Sequence, residues 1–259
     1  MKQNFDKNIH EKFKSYFEIK DSPSDIEKLF YNKTEKYLKY IKWIPGLKMI
    51  WIWNSISMNS ANAESDIDLL IVTTPNSLWL NRIIITFIFQ ILGVRKNDKY
   101  HAGRFCLSFF ATTTWLDFNN WKIENDVYLY FWIVYFKPIL SYNNTYELFI
   151  EKNNSWADFS DYIYMIEDNK KYIKYQIPLS QPFPPREKGV GQIVASSLPW
   201  GEIEKGIWGL NNLFKKIFLP KTLNHFNKIW KPYWVIINDN LLKFHNWDIR
   251  KKIKEDIIW

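Results

Sequence analysis

Asp66 and Asp68 stand one residue apart in the stretch 51–72, WIWNSISMNSANAESDIDLLIV. Side chains alternate along an extended strand, so the two carboxylates project the same way while Ile67 and Leu69 project the other. Like charges at the mouth of an apolar run repel each other and resist desolvation. A divalent cation removes that cost. Mg²⁺ prefers carboxylate and phosphate oxygens. A pair of such ions about 3.5–4 Å apart can clamp an attacking hydroxyl and a leaving pyrophosphate. Asn54 and Ser55 supply the other half of the constellation, separated from Asp66 by ten residues. They form a turn that follows one apolar run and opens a short helix. Backbone N–H groups at such a turn can hold a phosphate, and the Ser55 hydroxyl can add a hydrogen bond.

Strands and turns must position these residues. The acid pair opens an expected strand at Ile67–Thr73, preceded by one at 47–53 (LKMIWIW) that follows the Pro45-Gly46 turn. Residues 55–61 are expected as a short helix or turn. A third strand is expected at Phe105–Thr112 (FCLSFFAT), after the basic loop 95–104 (RKNDKYHAGR). Helices are expected at 26–41, capped by Ser24-Asp25, and at 78–92, 126–136 and 146–156. The pattern is α/β (α+β): a small mixed β-sheet flanked by helices, over a core domain at 26–177. Residues 1–25 are polar and read as frayed or peripheral. Residues 178–199 hold five prolines and two glycines and read as a linker. Residues 200–259 carry eleven Lys and Arg against six Asp and Glu, and read as a basic, mostly helical C-terminal module. In that module, helices are expected at 202–218 and 249–258, with a hairpin at 234–244 turning on Asn238-Asp239-Asn240. Ile207, Leu210, Leu213, Phe214, Ile217 and Phe218 form an apolar stripe at helical spacing, which needs a surface to cover.

Composition narrows the function classes. The chain has 259 residues, 47% of them apolar, with a formal net charge of +8. A basic balance favours an anionic partner. The competing reading is a solvated lysine surface, since Lys, Asn and Ile dominate and only five residues are arginine. Cys106 is the single cysteine, so neither an intrachain disulfide nor a cysteine-based zinc site can form. The four histidines lack metal-ligand spacing, and no P-loop or GxGxxG is present. The N-terminus MKQNFDKNIHEKFK has no apolar signal core, and a cytoplasmic location is expected. The apolar runs 83–94 and 127–136 fall short of the ~20 residues that span a bilayer. They read as buried helices, with no transmembrane span.

The succession of strand, turn, short helix and acid-hydrophobic-acid strand resembles the DNA polymerase beta-like nucleotidyltransferase superfamily, in its minimal single-domain form. That family's pattern is Gly-Ser or Gly-Gly, a short spacer, then acid-hydrophobic-acid. Here it is Asn54-Ser55, ten residues, then Asp66-Ile67-Asp68 inside SDIDLLIV. The resemblance is concentrated in residues 47–74 and fades beyond about residue 112. It implies transfer of a nucleoside monophosphate from a nucleoside triphosphate to a hydroxyl on a small-molecule, protein or RNA acceptor. Mg²⁺ would sit on Asp66 and Asp68, and the nucleotide would lie against Asn54 and Ser55. Ser65 is either a turn residue or, as the resemblance implies, a flank of the metal site. Two positions depart from the pattern. Asn54 replaces glycine, and Asn is the residue next most tolerant of positive φ. A third acid, expected on the following strand, is missing: Cys106 or Ser108 stands there, and the nearest acids are Asp98, Asp117, Glu124 and Asp126. Two further readings therefore stay open, a catalytically silent member that binds nucleotide or a partner, and a peripheral membrane or scaffold protein. A homo-oligomer is compatible with each.

Overall fold

Strand β2, Ile67–Thr73, is buried along its whole length, because helices cover both faces of the sheet to which it belongs. The computed structural model describes residues 2–177, 200–227, 235–244 and 249–258. The expected linker at 178–199 lies outside the described residues, as does the first residue of the expected hairpin. The chain is a mixed α/β fold. Its strands are β1 (Leu47–Ile52), β2, β3 (Phe105–Thr112), β4 (Lys137–Tyr142), β5 (Tyr175–Ile177), β6 (Ile236–Ile237) and β7 (Leu241–Lys243). They form one sheet in the order β5-β4-β1-β2-β3-β7-β6. β1 runs antiparallel to β2 and β4, whereas β2 and β3 are parallel.

Alternation along the strands divides the core in two. On one face Met49, Trp51, Leu70, Val72 and Phe109 pack beneath α1 (Lys7–Tyr16), α4 (Val127–Tyr135), α5 (Thr145–Asn153) and α8 (Arg250–Ile258). On the other, Ile50, Ile52, Ile67, Leu69 and Ile71 pack beneath α2 (Asp25–Leu38), α3 (Leu78–Ile91) and α7 (Trp200–Asn227). Trp51, Trp79 and Trp132 are among the largest fully buried side chains, so these tryptophans serve packing. α2 begins with a capping box on Ser24 and Glu27. Glu27 Oε1 also accepts from Ala61 N at 2.8 Å, which ties α2 to the segment leading into β2.

The structure differs from expectation at several points. The first 25 residues supply α1, capped by Asp6 and anchored by Phe13, which is fully buried. His10 Nε2 hydrogen bonds Tyr135 Oη of α4 at 2.8 Å, so this segment belongs to the core rather than fraying. The run KPILSY forms β4, with Pro138 opposite Trp51 at a register shift that accommodates its missing N–H. The expected hairpin turns at Asn238-Asp239-Asn240, but it joins the main sheet through β3 and β7. α7 packs on α3 by Phe214 and Phe218, while Leu210, Leu213 and Ile217 of the same stripe stay exposed. No helix among the described residues is long and apolar enough to cross a membrane.

Candidate functional site

Asp68 is the second residue of β2 and shares its strand face with Leu70 and Val72, which lie in the core under α4. Its carboxylate is therefore almost buried, at 9% exposure. Asn54 reaches it from the end of β1. The backbone of Asn54 is left-handed, with φ 59°, which turns the chain out of the strand. Asn54 Nδ2 donates to Asp68 Oδ2 at 2.7 Å, and Tyr128 of α4 donates to Asn54 Oδ1 at 3.3 Å. Ser57 Oγ and Met58 N both donate to the Asn54 carbonyl, and residues 54–59 form a turn, a single helix-like loop that is not continued. A glycine would supply the same backbone without the amide that holds Asp68. Ser55 lies half-buried at the start of this turn.

Asp66 precedes the strand and is half-buried. Lys96, from the loop before β3, donates to Asp66 Oδ2 at 2.6 Å. The parallel register of β2 and β3 places Cys106 beside Asp68. Ligand atoms of Asp66, Asp68 and Cys106 all lie within 4.8 Å of one another, the one such cluster among the described residues. Cys106 Sγ also contacts Ser108 Oγ at 3.1 Å. The Ser65 hydroxyl accepts from Asn62 N and donates to Asn62 Oδ1, while its carbonyl accepts from Gly103 N. It thus braces the two loops that flank the acid pair.

None of the other acids considered for the third position belongs to this cluster. Asp126 caps α4 and pairs with Arg250, Asp117 caps the turn at Asn119, and Glu124 and Asp98 are exposed. Sequence reasoning missed Lys96 and Tyr128. In the sequence Lys96 is one charge in a basic loop and Tyr128 one aromatic in the apolar run 127–136; only the structure leaves Tyr128 as the one residue of that helix that is not buried.

Burial, and then the Asp66 charge, push the Asp68 carboxyl up to about 6, against the opposing hydrogen bonds of Asn54 and Cys106. Burial also pushes the Cys106 thiol up, and the Asp68 charge adds to it, so the sulfur stays protonated near neutrality. Two carboxylates with a repulsion to relieve suit a hard divalent cation. The thiol is a soft ligand and suits Mg²⁺ poorly. The donor set fits Mg²⁺ through Asp66 and Asp68, and Lys96 is the cation that an ion would displace from Asp66.

The ionised form of Asp68 burdens the metal-free fold above pH 6, and neither state carries that charge well below the unfolded value of 3.8. Stability from this carboxyl is therefore fullest at low pH and falls as pH rises through 3.8 to 6. Asp68→Asn is expected to stabilise the metal-free protein at pH 8 by at most about 3 kcal/mol, and by well under about 1 kcal/mol near pH 4. Urea midpoints at both pH values check this. A variant destabilised at pH 8 would contradict the burial argument.

Comparison of the chain with protein-family models, with curated proteins and with solved structures finds no match.

Proposed function

We propose that the chain binds a nucleoside triphosphate with Mg²⁺ at Asp66 and Asp68, and transfers its nucleoside monophosphate to a hydroxyl acceptor. The observation that carries this reading is the hydrogen bond from Asn54 to Asp68. It joins the two halves of the constellation, the left-handed turn and the acid pair, into one site. In the transfer, the acceptor oxygen bonds the α-phosphorus, the α–β phosphoanhydride bond breaks, pyrophosphate leaves and the hydroxyl proton passes to water. Mg²⁺, when bound, neutralises phosphate charge. Asp66 and Asp68 supply the oxygens that hold it. Asn54 fixes the Asp68 side chain. The first N–H groups of the turn, at residues 55–57, and the Ser55 hydroxyl are the donors proposed for the phosphates, since Met58 N and Asn59 N close the turn itself. Cys106 is a protonated thiol and does not take up the acceptor's proton.

Asn54→Gly keeps the backbone but loses the amide, and is expected to weaken triphosphate binding about tenfold, the scale of one hydrogen bond to a charged group. Asn54→Val also forces a β-branched residue into the left-handed region, and is expected to weaken it about tenfold further. Calorimetry in Mg²⁺ measures both. Equal affinities for wild type and both variants would separate the turn from nucleotide binding.

The pairing of Cys106 with Asp68 favours a second reading, a nucleotide-binding member without turnover, because a thiol stands where the resemblance implies an acid. Pyrophosphate release distinguishes the two. Under the transfer reading the wild type releases pyrophosphate from a nucleoside triphosphate in Mg²⁺. Under the silent reading it binds without release, and Cys106→Asp gains release. A wild type that binds no nucleoside triphosphate in Mg²⁺ overturns both.

A further inference from the structure

Four cations from distant segments meet beside the acid pair. Arg82 comes from α3, Arg95 and Lys96 from the loop before β3, and Lys221 from α7. With Cys106 and Phe244 they line a cleft of about 370 Å³. The Arg82 guanidinium lies over the Phe244 ring at 4.1 Å and donates to the Leu107 carbonyl at 3.3 Å. Ring and carbonyl fix the plane of its donor fork before any ligand arrives. Among the described residues only Lys96 of the four is ion-paired, to Asp66. Burial, and then the neighbouring Arg95, disfavour the Arg82 charge. A guanidinium nevertheless stays protonated, so an anion in the cleft would relieve both burdens.

The cleft's place in the sheet separates it from the triphosphate turn. Asn54 and Ser55 follow β1, whereas Cys106 and Phe244 lie on the β3 and β7 side, and β2 with its acid pair runs between. Cys106 belongs to both the cleft and the acid cluster, so the two adjoin. The volume lies at the small end of the ~300–1,000 Å³ range of small-molecule sites. We propose that this cleft binds the phosphate group of the acceptor, which is a phosphorylated small molecule presenting its hydroxyl to Asp66 and Asp68. The acceptor role rests on the nucleotidyl-transfer reading, whereas the phosphate site stands on the cleft alone.

Calorimetric titration of the full chain with inorganic phosphate, without divalent ions, tests the site. Saturable one-site binding is expected. Arg95→Gln and Lys221→Gln, on half-buried and exposed side chains, should each weaken it about tenfold, the scale of a lost charge-assisted hydrogen bond. Lys39→Gln, exposed at the end of α2, should leave it unchanged. The absence of saturable binding, or equal weakening by Lys39→Gln, overturns the site. A short oligoribonucleotide that binds through Arg95 and Lys221 far more tightly than phosphate, with a steep salt dependence, overturns the small-molecule acceptor in favour of RNA. The Asp66→Asn/Asp68→Asn double variant should bind phosphate undiminished. Phosphate binding in a wild type that binds no nucleoside triphosphate would thus overturn the transfer reading and leave the phosphate site standing.

Discussion

Replacing both Asp66 and Asp68 by asparagine is expected to weaken Mg²⁺-dependent nucleotide binding by about a hundredfold or more, since two charged ligands are lost at roughly 1.5–3 kcal/mol each. The fold should survive. Asparagine has the shape of aspartate, and the amide oxygen at position 68 can still accept from Asn54, which now donates at 2.7 Å. Removing one of two neighbouring carboxylates also removes the repulsion that, after burial, raises Asp68. Binding is read by calorimetry in Mg²⁺ and the fold by circular dichroism. A folded double variant with unchanged affinity and unchanged Mg²⁺ dependence would remove the acid pair from the site.

Arg250→Ala is expected to be the most destabilising single change outside the apolar core, at about 3–5 kcal/mol, the usual scale for orphaning a buried charge. Arg250 is 5% exposed and its partner Asp126 1%. The pair closes at 3.1 Å, and the same guanidinium donates to the Trp121 carbonyl. Asp126 also accepts from Leu129 N at the start of α4 and from Ile123 N. Losing the arginine strands a carboxylate that burial already disfavours, under the helix that carries Tyr128. Adding Asp126→Asn should recover most of the loss, because the amide oxygen still caps the helix without a charge. Urea denaturation of the single and double variants measures both effects. A loss below about 1 kcal/mol in the single variant would contradict the docking of α8 on α4.

How far the fold was legible depended on local signals. β2 and β3 form over the residues expected, since IDLLIVT and FCLSFFAT are apolar runs rich in β-formers between turn residues. β4 went unread because Lys137 and Pro138 argue against a central strand. Both are buried there, where Lys137 bonds Asn169 and a register shift accommodates the missing N–H of Pro138. α1 went unread because its apolar residues are sparse among charges. The helix expected to end at residue 218 continues through Pro220 to Asn227, although proline disfavours helical backbone in the residue before it.

The candidate site divides along the same line. Left-handed backbone at Asn54 follows from residue type, because only glycine tolerates that region better. The contacts of Asp68 with Cys106, and of Asp66 with Lys96, depend on strand pairing and loop path, which one-dimensional spacing does not encode. The basic cleft is more remote still, as it gathers side chains from α3, a loop, β3, α7 and the residue after β7.

Nucleotidyl transfer at this site requires a nucleoside triphosphate and a divalent ion to meet at Asp66 and Asp68. Calorimetric titration of the wild-type chain with each of several nucleoside triphosphates, with and without Mg²⁺, tests this directly. Saturable binding to at least one of them that requires Mg²⁺ is the predicted result. Binding of equal strength without the ion, or no binding to any of them in its presence, would contradict it.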